Sequence, residues 1–151
     1  MNQEKLYKVV CCFKNAILAA KENGEFSSRD VMHRFPHGCC EFASDLLAYY
    51  LLEVHKIETI HINGVYDADN PENITNHEWL IHKNLIIDIT YSQFRSDTGS
   101  DEDIYVGTSN DFFKSMTDVH PVEFYDIQQN STLRDDYPKN IILSLEIRCF
   151  M

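Results

Sequence analysis

The chain is sparing with cysteine, and it places what it has unusually. Five cysteines occur in 151 residues: Cys11, Cys12, Cys39, Cys40 and Cys149. The number is odd, and four of them form two adjacent pairs, so the sequence offers neither C-x-x-C zinc spacing nor a spaced disulfide framework. Free thiols in a reducing cytoplasm are the simplest expectation. Positive charge is also scarce. Thirteen Lys and Arg face 24 Asp and Glu, a formal net charge of -11. Such a surface repels phosphate backbones, which argues against nucleic acid and suits a basic peptide or protein, as substrate or partner. No basic segment followed by a continuous apolar core stands at the N-terminus, so no signal peptide is expected. No apolar run is long enough to span a bilayer, so no membrane partner is expected. Internal repeats and low-complexity linkers are lacking too, which leaves residues 1–151 as a single domain.

The chain does carry enough apolar material for a core, with 44% hydrophobic and 12% aromatic residues. Leu6, Val9, Val10, Phe13, Ile17 and Ala20 recur at helical spacing, which predicts a helix over 3–22 that stops at Gly24. Ser27 or Ser28 is expected to cap a short turn running through Met32. Pro36 and Gly38 mark a turn in "RFPHG". From Cys40 an apolar stripe of Phe42, Leu46, Leu47, Tyr50, Leu51 and Val54 predicts a second helix. Strands follow: "IETIHINGVY", then "HEWLIH" and "LIIDIT" as a hairpin across Lys83-Asn84, then "VEFYDI" and "IILSLEIRCF". "RSDTGSDED" reads as an acidic loop and "SNDFFKSM" as a short capped helix. Helices first and an antiparallel meander after them make an α+β chain.

Chemistry concentrates in "FPHGCCEFASDLL". Proteins stabilise a thiolate at a helix N-terminus and beside an imidazolium. Cys40 opens the predicted helix, where its backbone N–H is free to face an oxyanion. Cys39 belongs to the turn before it. Strand parity supplies a base. If Lys83-Asn84 is a two-residue turn, His82 faces Leu85, Trp79 faces Asp88 and His77 faces Thr90. His77, Trp79, Asp88 and Thr90 then share one face, with His77 and Asp88 as diagonal neighbours. An aspartate inside "LIIDIT" needs such a partner. In "HEWLIH" the second histidine comes one residue too late for H-E-x-x-H and the segment reads as a strand, so no metal site is expected there. His33 and His37 read as surface turn residues, and His82 as exposed at the hairpin end.

"CCEFAS" resembles the nucleophile segment of papain-like cysteine proteases, with Cys40 opening a helix and Ser44 four residues on. "HEWL…IIDIT" resembles the His and Asp strands of transglutaminase-like proteins of the same broad superfamily. "FPHGCC", "HEWL" and "DITYSQF" together look like a group of small bacterial proteins of unassigned substrate. The resemblance covers about residues 35–94. It implies a papain-like/transglutaminase-like core, with the Cys40 helix packed on an antiparallel sheet. It also implies Cys40 as nucleophile, His77 as general base and acid, Asp88 as the orienting group, acyl transfer through a thioester, and no cofactor or metal. Trp79 and Gln93 are the substrate-binding candidates, although Trp79 fills a core equally well. In papain-like proteases a glutamine six residues before the cysteine serves the oxyanion; here Arg34 stands there, and Gln93 or Gln3 are the alternatives. Two other readings compete. One is a catalytically silent acidic binding protein of the immunity or inhibitor type on the same scaffold. The other is a redox sensor at Cys39 and Cys40. The acidic run from Asp97 to Asp103 is a solvated loop or the rim of a cleft for cationic substrates.

Overall fold

A computed structural model describes residues 1–123, 134–135 and 137–142. Helix α1 runs Gln3–Glu22, and the Asn2 side chain caps it by accepting from the Lys5 N–H at 2.8 Å. Leu6, Val10, Phe13, Ile17 and Ala20 line its buried face, as the spacing requires. Gly24 takes φ 73° where the chain leaves the helix. The next turn is a 3₁₀ helix over Val31–Arg34 capped by Asp30, whose carboxylate accepts from the Met32 N–H at 2.9 Å. The cap therefore lies two residues beyond the expected serines; Ser27 instead accepts from the Arg29 N–H in the preceding bend. A cis Phe35–Pro36 bond and Gly38 at φ 69° lead into helix α2, Cys40–His55.

Five strands follow: β1 Ile60–Tyr66, β2 Thr75–His82, β3 Leu85–Asp88, β4 Tyr105–Gly107 and β5 Thr117–Pro121. They form one antiparallel sheet in the order β4-β3-β2-β1-β5. β1 to β4 are a meander, and β5 returns to the far edge beside β1. The β2–β3 register pairs His82 with Leu85 and Leu80 with Ile87, the register of a two-residue Lys83-Asn84 turn.

Several elements differ from expectation. "LIIDIT" leaves the strand after Asp88, because Asp88 and Thr90 close a local turn by hydrogen bonding. Within "RSDTGSDED", Arg95–Thr98 forms a helical turn, α3, that stops at Gly99 with φ 69°. β4 is only three residues long, too short for a period-two pattern to register. The strand near "VEFYDI" comes earlier, at Thr117–Pro121, while residues 124–127 lie outside the described residues. Of "IILSLEIRCF", Ile141 and Ile142 end a π-helical turn, Tyr137–Ile142, and 143–150 lie outside the described residues. Cys149 is among the latter. "SNDFFKSM" does hold a capped helical turn, α4 over Asp111–Lys114, with Asn110 accepting from the Phe113 N–H at 3.1 Å.

The sheet separates two cores. On one side α1 and α2 pack Leu6, Phe13, Leu46, Leu47 and Leu51 against Leu80 and Ile87. Each large side chain buried there contributes on the order of 2 kcal/mol. The other side is a cluster of Ile62, Trp79, Ile86, Tyr91, Phe113 and Met116, half of it aromatic. Gly64 belongs to this side because a Cβ there would lie 2.8 Å from the Trp79 ring. Lys14, buried on α1, ties the helix to the sheet's loops. Its ammonium donates to the Asp103 carbonyl at 2.6 Å and to Ser92 Oγ at 3.0 Å. Among the described residues no helix is long and apolar enough to cross a membrane.

Candidate functional site

β2 and β3 bring His77 and Asp88 together as diagonal neighbours. His77 Nε2 and Asp88 Oδ2 are 2.6 Å apart, with the two side chains 0% and 1% exposed. Asp88 is held from its other oxygen. The Thr90 N–H and hydroxyl both donate to Oδ1, at 3.0 and 3.3 Å. Gln93, on the 3₁₀ turn Tyr91–Phe94, places its amide 3.1 Å from Thr90 Oγ1 and 3.4 Å from His77 Nδ1. Thus Nε2 is committed to Asp88, and Nδ1 is the ring nitrogen left for chemistry. The imidazole edge lies against Phe94, with ring centroids 4.6 Å apart, which fixes its plane.

Cys40 is the first residue of α2 and is half-buried. Its side chain lies close enough to His77 to support the charged ring. Burial opposes a charge on His77. The charge and hydrogen bond of Asp88, joined by Cys40, outweigh burial and hold His77 above the ordinary histidine range. Cys39 caps α2 without a side-chain hydrogen bond and is buried. That burial pushes its thiol up to about 12. The neighbouring thiols are therefore chemically different, and Cys39 stays a neutral core residue.

The remaining candidates separate as follows. Gln93 is at the site, beside Nδ1. Trp79 is 2% exposed and packs on Gly64 and Phe113, so it is a core residue behind His77 and not an open wall for substrate. Gln3 donates to the Val106 carbonyl at 3.2 Å on β4, which removes it as an oxyanion donor. Arg34 is exposed, its guanidinium beside Gly38. Ser44 is buried inside α2. His33 and His37 are exposed turn residues, as their sequence context suggests. Among the described residues no group of His, Cys, Asp and Glu is arranged to hold a metal.

Two features escaped the sequence. Thr90 is a hydrogen-bonding anchor of Asp88; the D-x-T spacing at a strand end is the signal for that turn. The second is a buried polar cluster between α2 and the helix-facing side of the sheet. His61 Nδ1 is 3.1 Å from Asp45 Oδ1, with side chains 3% and 1% exposed. Yet neither Asp45 oxygen, nor His61 Nε2, nor Glu78 Oε2 makes a hydrogen bond. Burial, with Glu78 and Glu41 nearby, pushes the Asp45 carboxyl up to about 8. Burial also pushes the His61 imidazole down. At neutral pH this contact is a neutral acid beside a neutral imidazole, not an ion pair. Comparisons with protein-family models, curated proteins and solved structures return no match, so the site stands on its own geometry.

Proposed function

We propose that the protein is a cysteine-dependent acyl-transfer enzyme with a papain-like/transglutaminase-like core, using Cys40, His77 and Asp88. The observation that carries this reading is the His77 ring, fixed through Nε2 on Asp88 at 2.6 Å, with Cys40 close enough to favour its charged form. In the reaction, Cys40 has given its proton to His77 Nδ1, and its Sγ attacks an amide or ester carbonyl. A C–S bond forms and the carbonyl electron pair moves to oxygen. The Cys40 backbone N–H, free in the first turn of α2, is the donor for that oxyanion, while the Gln93 amide is engaged with Thr90 Oγ1 and His77 Nδ1. His77 then protonates the leaving amine, the C–N bond breaks and a thioester remains. Water or an amine attacks the thioester, gives its proton to Nδ1 and releases the Cys40 sulfur. Asp88 holds the ring through Nε2, and it stabilises the imidazolium that forms within each half-reaction.

The test is intact-mass detection of an acyl adduct formed with activated esters and glutamine-containing peptides. Wild type and Cys39→Ala are expected to form it; Cys40→Ala and His77→Ala are not. An adduct that persists in Cys40→Ala would sink the assignment. No Cys40-dependent product with any probe would leave the acidic binding-protein reading ahead.

A further inference from the structure

Beside the proposed site lies a cavity of about 400 Å³. Tyr66, Tyr91 and Phe112 wall it, and Asp97, Asp111 and Asn110 supply its polar lining. Phe112 is shared with the site. Its ring centroid is 6.4 Å from that of His77 and 4.9 Å from that of Phe94, which itself lies against His77. A group seated in the cavity is therefore one aromatic ring from the imidazole.

We propose that this cavity takes an organic cation, the ammonium or guanidinium group of a substrate of the acyl transfer. Aromatic faces attract such cations, and carboxylates supply the counter-charge. The lining carries both and no basic residue. Among the described residues neither Asp97 nor Asp111 is in an ion pair; Arg95, the nearest arginine in sequence, is paired with Asp103. The Tyr66 hydroxyl donates to Asp97 Oδ1 at 2.6 Å, which fixes that carboxylate and leaves Oδ2 for a ligand. The hydrogen bond to Asp97, together with burial and the charges of Asp97 and Asp67, pushes the Tyr66 phenol up to about 12. The cation has two sources, a lysine or arginine side chain of the acyl substrate or an alkylamine that accepts the acyl group.

The proposal rests on Cys40 as nucleophile, so the experiment separates the two. Lysyl and norleucyl peptide chloromethyl ketones alkylate a cysteine with loss of chloride, and iodoacetamide serves as the uncharged control. The lysyl probe is expected to label Cys40 roughly tenfold faster than the norleucyl probe, as a cation-binding cage implies. In Asp97→Asn/Asp111→Asn that ratio should fall to about one while iodoacetamide labelling is unchanged. In a second arm cadaverine, and separately an acetyl-lysine methylamide, are titrated into Cys40→Ala and followed by aromatic NMR shifts. Saturable binding that disappears in the Asp97→Asn/Asp111→Asn background supports the cavity, and cadaverine alone assigns it to the acceptor. Equal labelling by both probes with no saturable shift would overturn it. If iodoacetamide finds no reactive Cys40, the acyl-transfer reading fails, and the titrations still decide the cavity.

Discussion

Asp45→Asn should make the protein more stable, and increasingly so as pH rises. The Asp45 carboxyl is buried beside His61 with neither oxygen hydrogen-bonded, and its pKa is pushed up to about 8. The unfolded chain returns it to the ordinary range near 3.9. A carboxyl raised on folding favours the native state fully below the unfolded value. That advantage is lost as pH climbs toward the folded value, because the unfolded state ionises first. Each pH unit in that window changes the balance by about 1.4 kcal/mol, so about three units up to pH 7 set a ceiling near 4 kcal/mol. Water entry and side-chain movement reduce this, and about 2 kcal/mol is the expected gain for Asp45→Asn at neutral pH. Asparagine keeps the shape and the neutral contact with His61 but cannot ionise. His61 is common to both proteins, so its opposite pH dependence cancels in the difference. Urea unfolding at about pH 4, 5, 6, 7 and 8 measures it. Wild type should lose stability across the series relative to the variant, with similar values at the acid end. Parallel pH curves, or a variant less stable than wild type at pH 8, would refute the reasoning.

Four further outcomes follow from the packing and the site. Gly64→Ala should cost about 1–3 kcal/mol, because the added methyl would lie 2.8 Å from the Trp79 ring; chemical denaturation reads this directly. Lys14→Met removes an ammonium that donates to the Asp103 carbonyl and Ser92. A loss of about 1–3 kcal/mol is expected, and an unchanged urea midpoint would show the contact to be worthless. Native iodoacetamide labelling mapped by mass spectrometry should mark Cys40 and spare Cys39, whose thiol is buried and pushed up to about 12. Because His77 is held above the ordinary histidine range, the basic limb of kcat on an amide substrate should lie above about pH 6.5. In Asp88→Asn that limb should move toward acid; an unmoved limb would show that Asp88 does not set the protonation of His77.

The parts of the fold legible in the sequence are those where one period runs long enough to be counted. α1 is twenty residues with an unbroken apolar stripe, and α2 is sixteen. The β2–β3 register could be read from parity alone, because slipping a strand by one residue would turn His77 and Trp79 away from Asp88. Short elements had no such signal. β4 is three residues, and α3 is a single turn inside an acidic segment. Asp45 was legible by the argument that identified Asp88, since "FASDLLAYYLL" buries a carboxyl among apolar neighbours just as "LIIDIT" does. Its partner was not, because His61 reaches Asp45 through the packing of α2 on β1. Trp79 was ambiguous for a different reason: a residue on the face of His77 lines a cleft or fills a core depending on what covers it. Phe113, Met116 and Gly64 cover it.

The fold thus contains two buried aspartate–histidine contacts with opposite chemistry, and their surroundings explain the difference. Asp88 accepts from the Thr90 N–H, the Thr90 hydroxyl and the His77 ring, and its attraction for a proton on His77 exceeds the cost of burying that charge. Asp45 has no hydrogen-bond donor on either oxygen. Burial, with Glu78 and Glu41 nearby, drives the Asp45–His61 contact to the neutral state, whereas the charge and hydrogen bond of Asp88, with Cys40, outweigh burial at His77. Removing the Thr90 hydroxyl takes one donor away from Asp88 and leaves Gln93 without its 3.1 Å contact. Thr90→Val keeps the backbone donor and the side-chain volume. It should therefore lower the pKa of His77 and slow Cys40 alkylation while leaving the fold intact. If the imidazole titration of His77 is unmoved in Thr90→Val, the charge on this ring is set by Asp88 and Cys40 alone, and Thr90 does no more than close the turn.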